Sequence, residues 1–146
     1  PAIGLEGVEE ARGWLEHISV LEEARLLRGM ARFLHDPTEG GVGGGIAEIA
    51  RLSGLGVELD FESVPLSPLT RKAVRALGFD PLHLISSGVL LAVVPQGMED
   101  GALAALEEKG IAGVAAGRFV EGAGNCPDDV CEELWGLLDR PEESAK

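Results

Sequence analysis

Apolar residues recur along the chain with two spacings, one typical of helices and one typical of short strands. An apolar residue at every third or fourth position predicts helices at about residues 18–27, 40–53, 69–77, 98–109 and 128–138. Short alternating or continuous apolar runs predict strands at residues 31–34, 57–61, 89–94 and 114–120. The run 89–94 is the most apolar and is expected to be a central buried strand. Helices and strands that alternate in this way favour a layered α/β or α+β domain.

The two ends of the chain depart from this pattern. Residues 1–17 are mostly rich in Gly and Glu without a clear period, and they are predicted to be a connection from an upstream segment. The first residue is Pro rather than Met, which suggests a piece of a longer protein. A length of 146 residues fits one domain, placed at residues 18–139. Residues 140–146 are polar and are expected to form a frayed tail.

Charge and hydropathy exclude several classes of function. The chain carries 25 acidic and 12 basic residues, a formal net charge of −13. This balance repels phosphate backbones and anionic lipid, so binding to nucleic acid or a membrane surface is not expected. No apolar run approaches the roughly 20 residues that a membrane span needs, and no secretory signal is visible. We therefore predict a cytoplasmic protein.

The cysteines give little support for a metal site. Cys126 and Cys131 are separated by four intervening residues, whereas structural zinc sites need four ligands and usually a closer pair. The three histidines, His17, His35 and His83, are scattered along the sequence. Two ordinary thiols are favoured over metal binding or a disulfide.

One glycine-rich segment needs a specific explanation. The motif His-Asp-Pro-Thr-Glu-Gly-Gly spans residues 35–41, where a strand is predicted to turn into a helix that contains Gly43, Gly44 and Gly45. Each glycine inside a helix costs about 0.8–1.0 kcal/mol relative to alanine. Either another segment packs closely against the bare helix, or a ligand approaches unshielded N–H groups at its N-terminus.

The side chains around these glycines favour a ligand, although a structural corner explains them as well. Asp36 is a potential metal ligand or hydrogen-bond acceptor, Thr38 is suited to cap the helix, and His35 is a potential proton-transfer group. Alternatively, Asp36 and Thr38 merely satisfy backbone donors. A P-loop is absent, because no Gly-Lys-Ser/Thr follows.

The motif resembles the Asp-Pro-Thr-Arg-Gly-Gly signature of the AIR synthase-related superfamily, in its hydrogenase-maturation (HypE) branch. Further segments similar to that family follow in the same order: Ser53-Gly54-Leu55-Gly56-Val57, Gly78-Phe79-Asp80-Pro81-Leu82, Ser86-Ser87-Gly88-Val89-Leu90-Leu91 and Ala116-Gly117-Arg118-Phe119-Val120-Glu121-Gly122. The similarity runs from about Ile18 to Gly122.

This resemblance implies a fold, an activity and partners. The fold would be a three-layer α/β/α domain like the PurM C-terminal domain, with a mixed sheet of about four strands. It would close the cleft of an ATP-dependent enzyme that activates an amide or carbamoyl-type oxygen by phosphorylation and dehydration. ATP and Mg²⁺ would be bound mainly by an N-terminal domain that this chain lacks. The complete protein would form a homodimer and meet other hydrogenase maturation proteins.

The resemblance also implies the residues of the site. Asp36 would hold Mg²⁺ or phosphate together with Thr38, and His35 would transfer a proton or act as a structural hydrogen-bonding group. The remaining phosphate-binding candidates are Gly40, Gly41, Ser86, Ser87 and Gly88. Residues 86–88 are equally well explained as a simple turn. Glu48 is expected to be a solvated helix residue.

Two departures from the family pattern keep a second hypothesis open. Glu39 stands where the signature has arginine, and the chain ends in Glu-Ser-Ala-Lys rather than in a tail that carries a cysteine. These differences favour a paralogue, or a non-catalytic binding or regulatory module with the same fold.

Overall fold

The computed structural model describes residues 3–126 and 132–139. Six α-helices and four strands follow one another along the chain in these ranges: α1 (Gly4–Gly13), α2 (Leu21–Leu27), β1 (Phe33–His35), α3 (Gly41–Ser53), β2 (Gly56–Leu59), α4 (Pro68–Leu77), β3 (Leu91–Val93), α5 (Glu99–Glu107), β4 (Gly117–Val120) and α6 (Glu133–Leu138). Two short 3₁₀ helices lie at Trp14–His17 and Pro81–His83.

The alternation of helices and strands predicted from the sequence is confirmed, with modest shifts at the boundaries. Two elements begin three residues later than predicted: the first predicted helix at Leu21 instead of residue 18, and the last strand at Gly117 instead of residue 114. The last predicted helix is present at Glu133–Leu138, and residues 127–131 lie outside the described part of the chain.

The N-terminal segment is helical, although its sequence predicted only a connection. Gly7 is the one buried residue of α1, and a methyl group in its place would lie 2.8 Å from Leu69 Cδ1 of α4. The Lys72 ammonium group of α4 donates to the Ile3 carbonyl oxygen at 3.1 Å. Because α1 makes this contact through a glycine, it shows no apolar stripe, and helical periodicity could not reveal it.

The four described strands form two antiparallel pairs and not the single mixed sheet expected. In one pair Phe33 lies opposite Val93, and in the other Gly56 lies opposite Val120. The expectation of a central buried strand at 89–94 is wrong, since β3 has one partner strand and its residues are half-buried or exposed. Helix α3 contacts both β2 and β3, so side-chain packing joins the two pairs. The α/β class itself is confirmed.

The main core lies between α3 and the β2–β4 pair. Its buried residues are Val42, Ile46, Val57, Leu59 and Leu82. A smaller core joins α2 to α5 through Leu27, Ala102 and Leu106. The first core fixes α3 against the loop around Leu82, and this contact positions the motif of residues 35–41 at the start of α3.

Candidate functional site

The motif of residues 35–41 connects β1 to α3 and lies against the loop of residues 84–88. The Ser86 hydroxyl donates to the Pro37 carbonyl oxygen at 3.2 Å, and the Ser86 amide donates to the Thr38 carbonyl oxygen at 3.3 Å. Pro37 is fully buried, whereas Asp36 and Thr38 are exposed on either side of it. The structure thus places Ser86 against the motif, with its own hydrogen bonds directed at the motif's backbone.

The rest of the serine-glycine turn is arranged differently. Ser87 is exposed, and Gly88 has a φ of 91° that favours glycine. A methyl group at Gly88 would lie 3.2 Å from the Ile18 Cα atom and 3.3 Å from the His17 carbonyl oxygen. Gly88 therefore permits close packing of the N-terminal segment beside the candidate site.

Close packing explains three of the four glycines in α3. A methyl group at Gly41 would lie 2.5 Å from the Leu82 carbonyl oxygen, and one at Gly43 would lie 2.5 Å from the imidazole Nε2 of His83. At Gly45 it would lie 2.7 Å from Pro37 Cβ. Of the two explanations left open by the sequence, close approach of other segments is the one seen at these three positions.

The start of α3 departs from the capping expected for Thr38. The N-cap is Gly40, which has a φ of 75° and no side chain to bond to the first turn. Thr38 stands two positions before the N-cap, whereas a capping hydroxyl normally belongs to the N-cap residue itself. The Gly41 amide donates to the Thr38 carbonyl oxygen at 3.1 Å, so the Thr38 backbone rather than its side chain stabilises this turn.

The Gly40 amide has a partner that the sequence did not predict. It donates to the Glu132 carboxylate oxygen Oε2 at 2.5 Å, and the other oxygen, Oε1, accepts from the Ile85 amide at 3.1 Å. Glu132 immediately precedes α6 and is 92 positions from Gly40. No periodicity or local motif links residues so distant in sequence, so this contact could not be predicted from the sequence.

Two histidines flank α3. His35 Nε2 lies 2.9 Å from Glu48 Oε2, so Glu48, expected to be solvated, also makes an ion pair when His35 is protonated. His83 packs over Gly43, and its Nδ1 atom lies 3.4 Å from Asp80 Oδ2. In the sequence His83 is one of three scattered histidines, and the only signal for its position is the glycine at position 43 of α3.

Nothing in the described residues forms a complete metal site. No group of three or more His, Cys, Asp or Glu side chains converges there. Cys126 is half-buried and packs against the main core, and Cys131 lies outside the described residues. In the same part of the chain, no helix combines the length and hydropathy that a membrane span requires.

The sequence matches a known family over most of its length. The profile of the AIR synthase related protein, C-terminal domain, matches residues 7–125. The carbamoyl dehydratase HypE of Rhizobium leguminosarum bv. viciae is 38% identical over 85 residues, which cover 58% of this chain and 24% of that protein. The chain thus spans about a quarter of the length of this curated relative.

Solved structures of HypE proteins have a similar fold. A crystal structure of E. coli HypE aligns with a TM-score of 0.66 and 29% identity, covering 72% of this chain and 34% of the other. The structure of HypE in complex with ATP aligns with a TM-score of 0.54 and 35% identity, covering 61% of this chain and 27% of the other. The structure of a HypE–HypF complex aligns with a TM-score of 0.54 and 30% identity, covering 57% of this chain and 28% of the other.

Proposed function

This chain belongs to the AIR synthase related proteins as their C-terminal domain, and from that membership we propose that it is part of a HypE-like enzyme of hydrogenase maturation. The complete enzyme would use ATP to phosphorylate and dehydrate a carbamoyl-type group. The identity to carbamoyl dehydratases supports this activity, and the related structure with bound ATP supports the nucleotide. An upstream ATP-binding domain would supply most of the nucleotide contacts.

The observation that carries the proposal is the junction between the motif and the 84–88 loop. Ser86 ties this loop to the carbonyl oxygens of Pro37 and Thr38, and the buried Pro37 fixes the backbone between them. Asp36 and Thr38 are consequently held by a rigid backbone while their side chains remain exposed. A preorganised exposed pair of this kind is suited to receive a ligand presented by another domain.

Asp36 would contribute one ligand to Mg²⁺ at the edge of the cleft. Protein sites for Mg²⁺ commonly use one or two carboxylates together with substrate phosphates and waters. A single exposed carboxylate fits this role only as part of a shared site. Bound Mg²⁺ would neutralise phosphate charge, while Asp36 positions it.

His35 would transfer a proton beside this position. Its imidazole Nε2 atom faces the Glu48 carboxylate at 2.9 Å, which fixes the ring orientation. The ring is half-buried at the end of β1, next in sequence to Asp36. Among the phosphate-binding candidates, Gly40 and Gly41 would donate their amides after exchanging present partners, while Ser86, Ser87 and Gly88 would line the same cleft.

The same membership suggests the partners. The complete protein would pair with its own N-terminal domain, form a homodimer and contact a maturation protein, as HypE does in its complex with HypF. In the described part of this chain, large apolar side chains remain exposed near the N-terminal segment: Leu5, Trp14, Leu15, Ile18 and Leu21. Their exposure supports a covering domain at this end.

A non-catalytic module is the second candidate function. Glu39 places a negative charge beside the proposed phosphate site, and the Gly40 amide is already bonded to a carboxylate. Both features oppose anion binding and would suit a domain that kept the fold without the chemistry.

Steady-state ATP hydrolysis separates the two candidates. We expect the complete protein to hydrolyse ATP with saturable kinetics and residues 1–146 alone to show none. Saturable hydrolysis by the 146-residue chain alone would exclude the half-enzyme assignment. A complete protein that neither binds nor hydrolyses ATP would favour the non-catalytic module.

A further inference from the structure

The carboxylate of Glu132 ties together the two loops of the candidate site. Its Oε2 atom accepts from the Gly40 amide at the end of the motif, and its Oε1 atom accepts from the Ile85 amide in the 84–88 loop. Oε1 also accepts from the Leu134 amide at 2.9 Å, so the start of helix α6 holds the carboxylate in place. One side chain therefore links three segments that are far apart in the sequence.

This tie complements the one that Ser86 makes. Ser86 donates to carbonyl oxygens of the motif, those of Pro37 and Thr38. Glu132 instead accepts from amides, one in each loop. A carboxylate makes shorter and stronger hydrogen bonds with N–H groups than a neutral acceptor does. Thr38 thus lies between two fixed points of the backbone, Pro37 and Gly40.

The second tie comes from the segment that follows the matched family domain. The family profile ends at residue 125, whereas Glu132 immediately precedes α6. Gly40 is buried, so its amide has no ready access to water if the carboxylate is removed. Because an unpaired buried N–H group is costly, the motif would have to move to satisfy it.

We propose that Glu132 is a positioning residue of the candidate site. It fixes the spacing between the motif and the 84–88 loop, and through the motif it holds Asp36 and Thr38 in place. The assignment rests on the proposed function, since these two side chains receive Mg-ATP only if the complete protein uses it. On this assignment the Gly40 amide stays with Glu132 during turnover, and the phosphate contacts fall to the other candidate residues.

Steady-state ATP hydrolysis by the complete protein tests the assignment through kcat and KM separately. Glu132→Gln keeps the side-chain shape and removes the charge, and Glu133→Gln makes the same change one residue later as the matched control. We expect Glu132→Gln to lower kcat about tenfold relative to the control, with KM for Mg-ATP unchanged or raised. Equal kcat values would overturn the proposal. A lower KM would also overturn it, because the freed Gly40 amide would then be binding phosphate.

A double-mutant cycle separates positioning from a general loss of stability. If Glu132 acts through the motif, Glu132→Gln should cost less than about twofold in kcat/KM once Asp36→Asn is present. A loss of stability acts alike in both backgrounds. The same loss with and without Asp36→Asn would therefore contradict the proposal.

Glu132→Asp decides the question if Glu132→Gln lowers the unfolding midpoint of the complete protein. It keeps the charge and retracts the carboxylate by one methylene group, so the carboxylate no longer spans both loops. We expect an unchanged unfolding midpoint and a lowered kcat. A kcat equal to that of Glu133→Gln would overturn the proposal.

Hydrogen exchange of the complete protein, followed by mass spectrometry, gives a readout that does not depend on ATP. Peptides that cover Gly40 and Ile85 should exchange about tenfold faster in Glu132→Gln than in Glu133→Gln. Equal exchange would overturn the proposal. Faster exchange in a protein that does not hydrolyse ATP would refute the proposed function and leave the tie between the loops standing.

Discussion

The side chains of His35 and Glu48 meet between the end of strand β1 and the middle of helix α3, with Nε2 2.9 Å from Oε2. Gly45 lies beside them, and a methyl group in its place would come within 3.1 Å of His35 Cδ2. The bare surface of α3 thus leaves room for the imidazole, and a carboxylate one turn further along orients it. This geometry connects the glycine-rich helix to the residue adjoining Asp36.

Glu48→Gln tests whether this pair orients a proton-transfer group. The side chains of His35 and Glu48 are 28% and 56% exposed, so the free energy of unfolding should change by less than about 1 kcal/mol. Loss of orientation should still lower the kcat of the complete protein by about tenfold, as removal of a supporting carboxylate commonly does. Urea denaturation and steady-state kinetics measure the two effects. Glu107→Gln, at an exposed position of α5, is the control; equal kcat values in the two variants would assign His35 a structural role.

Gly41→Ala should destabilise the chain strongly. Gly41 has a φ of 63°, and the added methyl group would press against the carbonyl oxygens of Leu82 and Leu84. Strain and overpacking together predict a loss of at least about 2 kcal/mol in the free energy of unfolding. Gly101→Ala is the matched control in α5, where a methyl group meets nothing within 4 Å and should stabilise by about 0.5–1 kcal/mol. Similar unfolding midpoints for the two variants would refute this packing explanation.

Asn125→Ala should loosen the β2–β4 pair. The Asn125 side chain accepts from the Leu59 amide at 2.7 Å and donates to the Leu59 carbonyl oxygen at 2.9 Å. Removing it leaves both backbone groups of a buried strand residue without these partners, at a cost of about 1–3 kcal/mol. Thermal unfolding measures the loss, and Ser63→Ala, which removes one exposed hydrogen bond, should cost less than about 0.5 kcal/mol. A cost for Asn125→Ala as small as that of the control would show that water replaces the side chain.

The sequence predicted those elements whose own residues show an apolar period or a terminating glycine. Helix α3 was visible from its apolar stripe and α4 from its period and closing glycine, because these signals are local. Helix α1 was missed because it packs through Gly7 and has no apolar stripe. The pairing of the strands was also not predictable, since partners such as Phe33 and Val93 are brought together by tertiary packing.

The same limit applies to the candidate site. Ser86 was a candidate to line the same cleft as the motif or to form a simple turn, and its hydrogen bonds to the motif's backbone were not predicted. The contacts of Glu132 with Gly40 and Ile85 depend on how α6 returns to the site, which no spacing along the chain encodes. For α3, the sequence showed that its glycines needed an explanation, but the choice between a ligand and close packing required the positions of Leu82, His83 and Pro37.

The most direct test of the proposed function compares ATP hydrolysis by the complete protein carrying Asp36→Asn with that of Asp100→Asn. Both changes remove one exposed carboxylate charge, and only Asp36 lies in the motif. We predict that Asp36→Asn lowers kcat/KM for Mg-ATP by at least about tenfold, the effect of losing a charged ligand interaction, with the unfolding midpoint unchanged. Equal activity of the two variants would contradict the assignment of Asp36 to an ATP-dependent site.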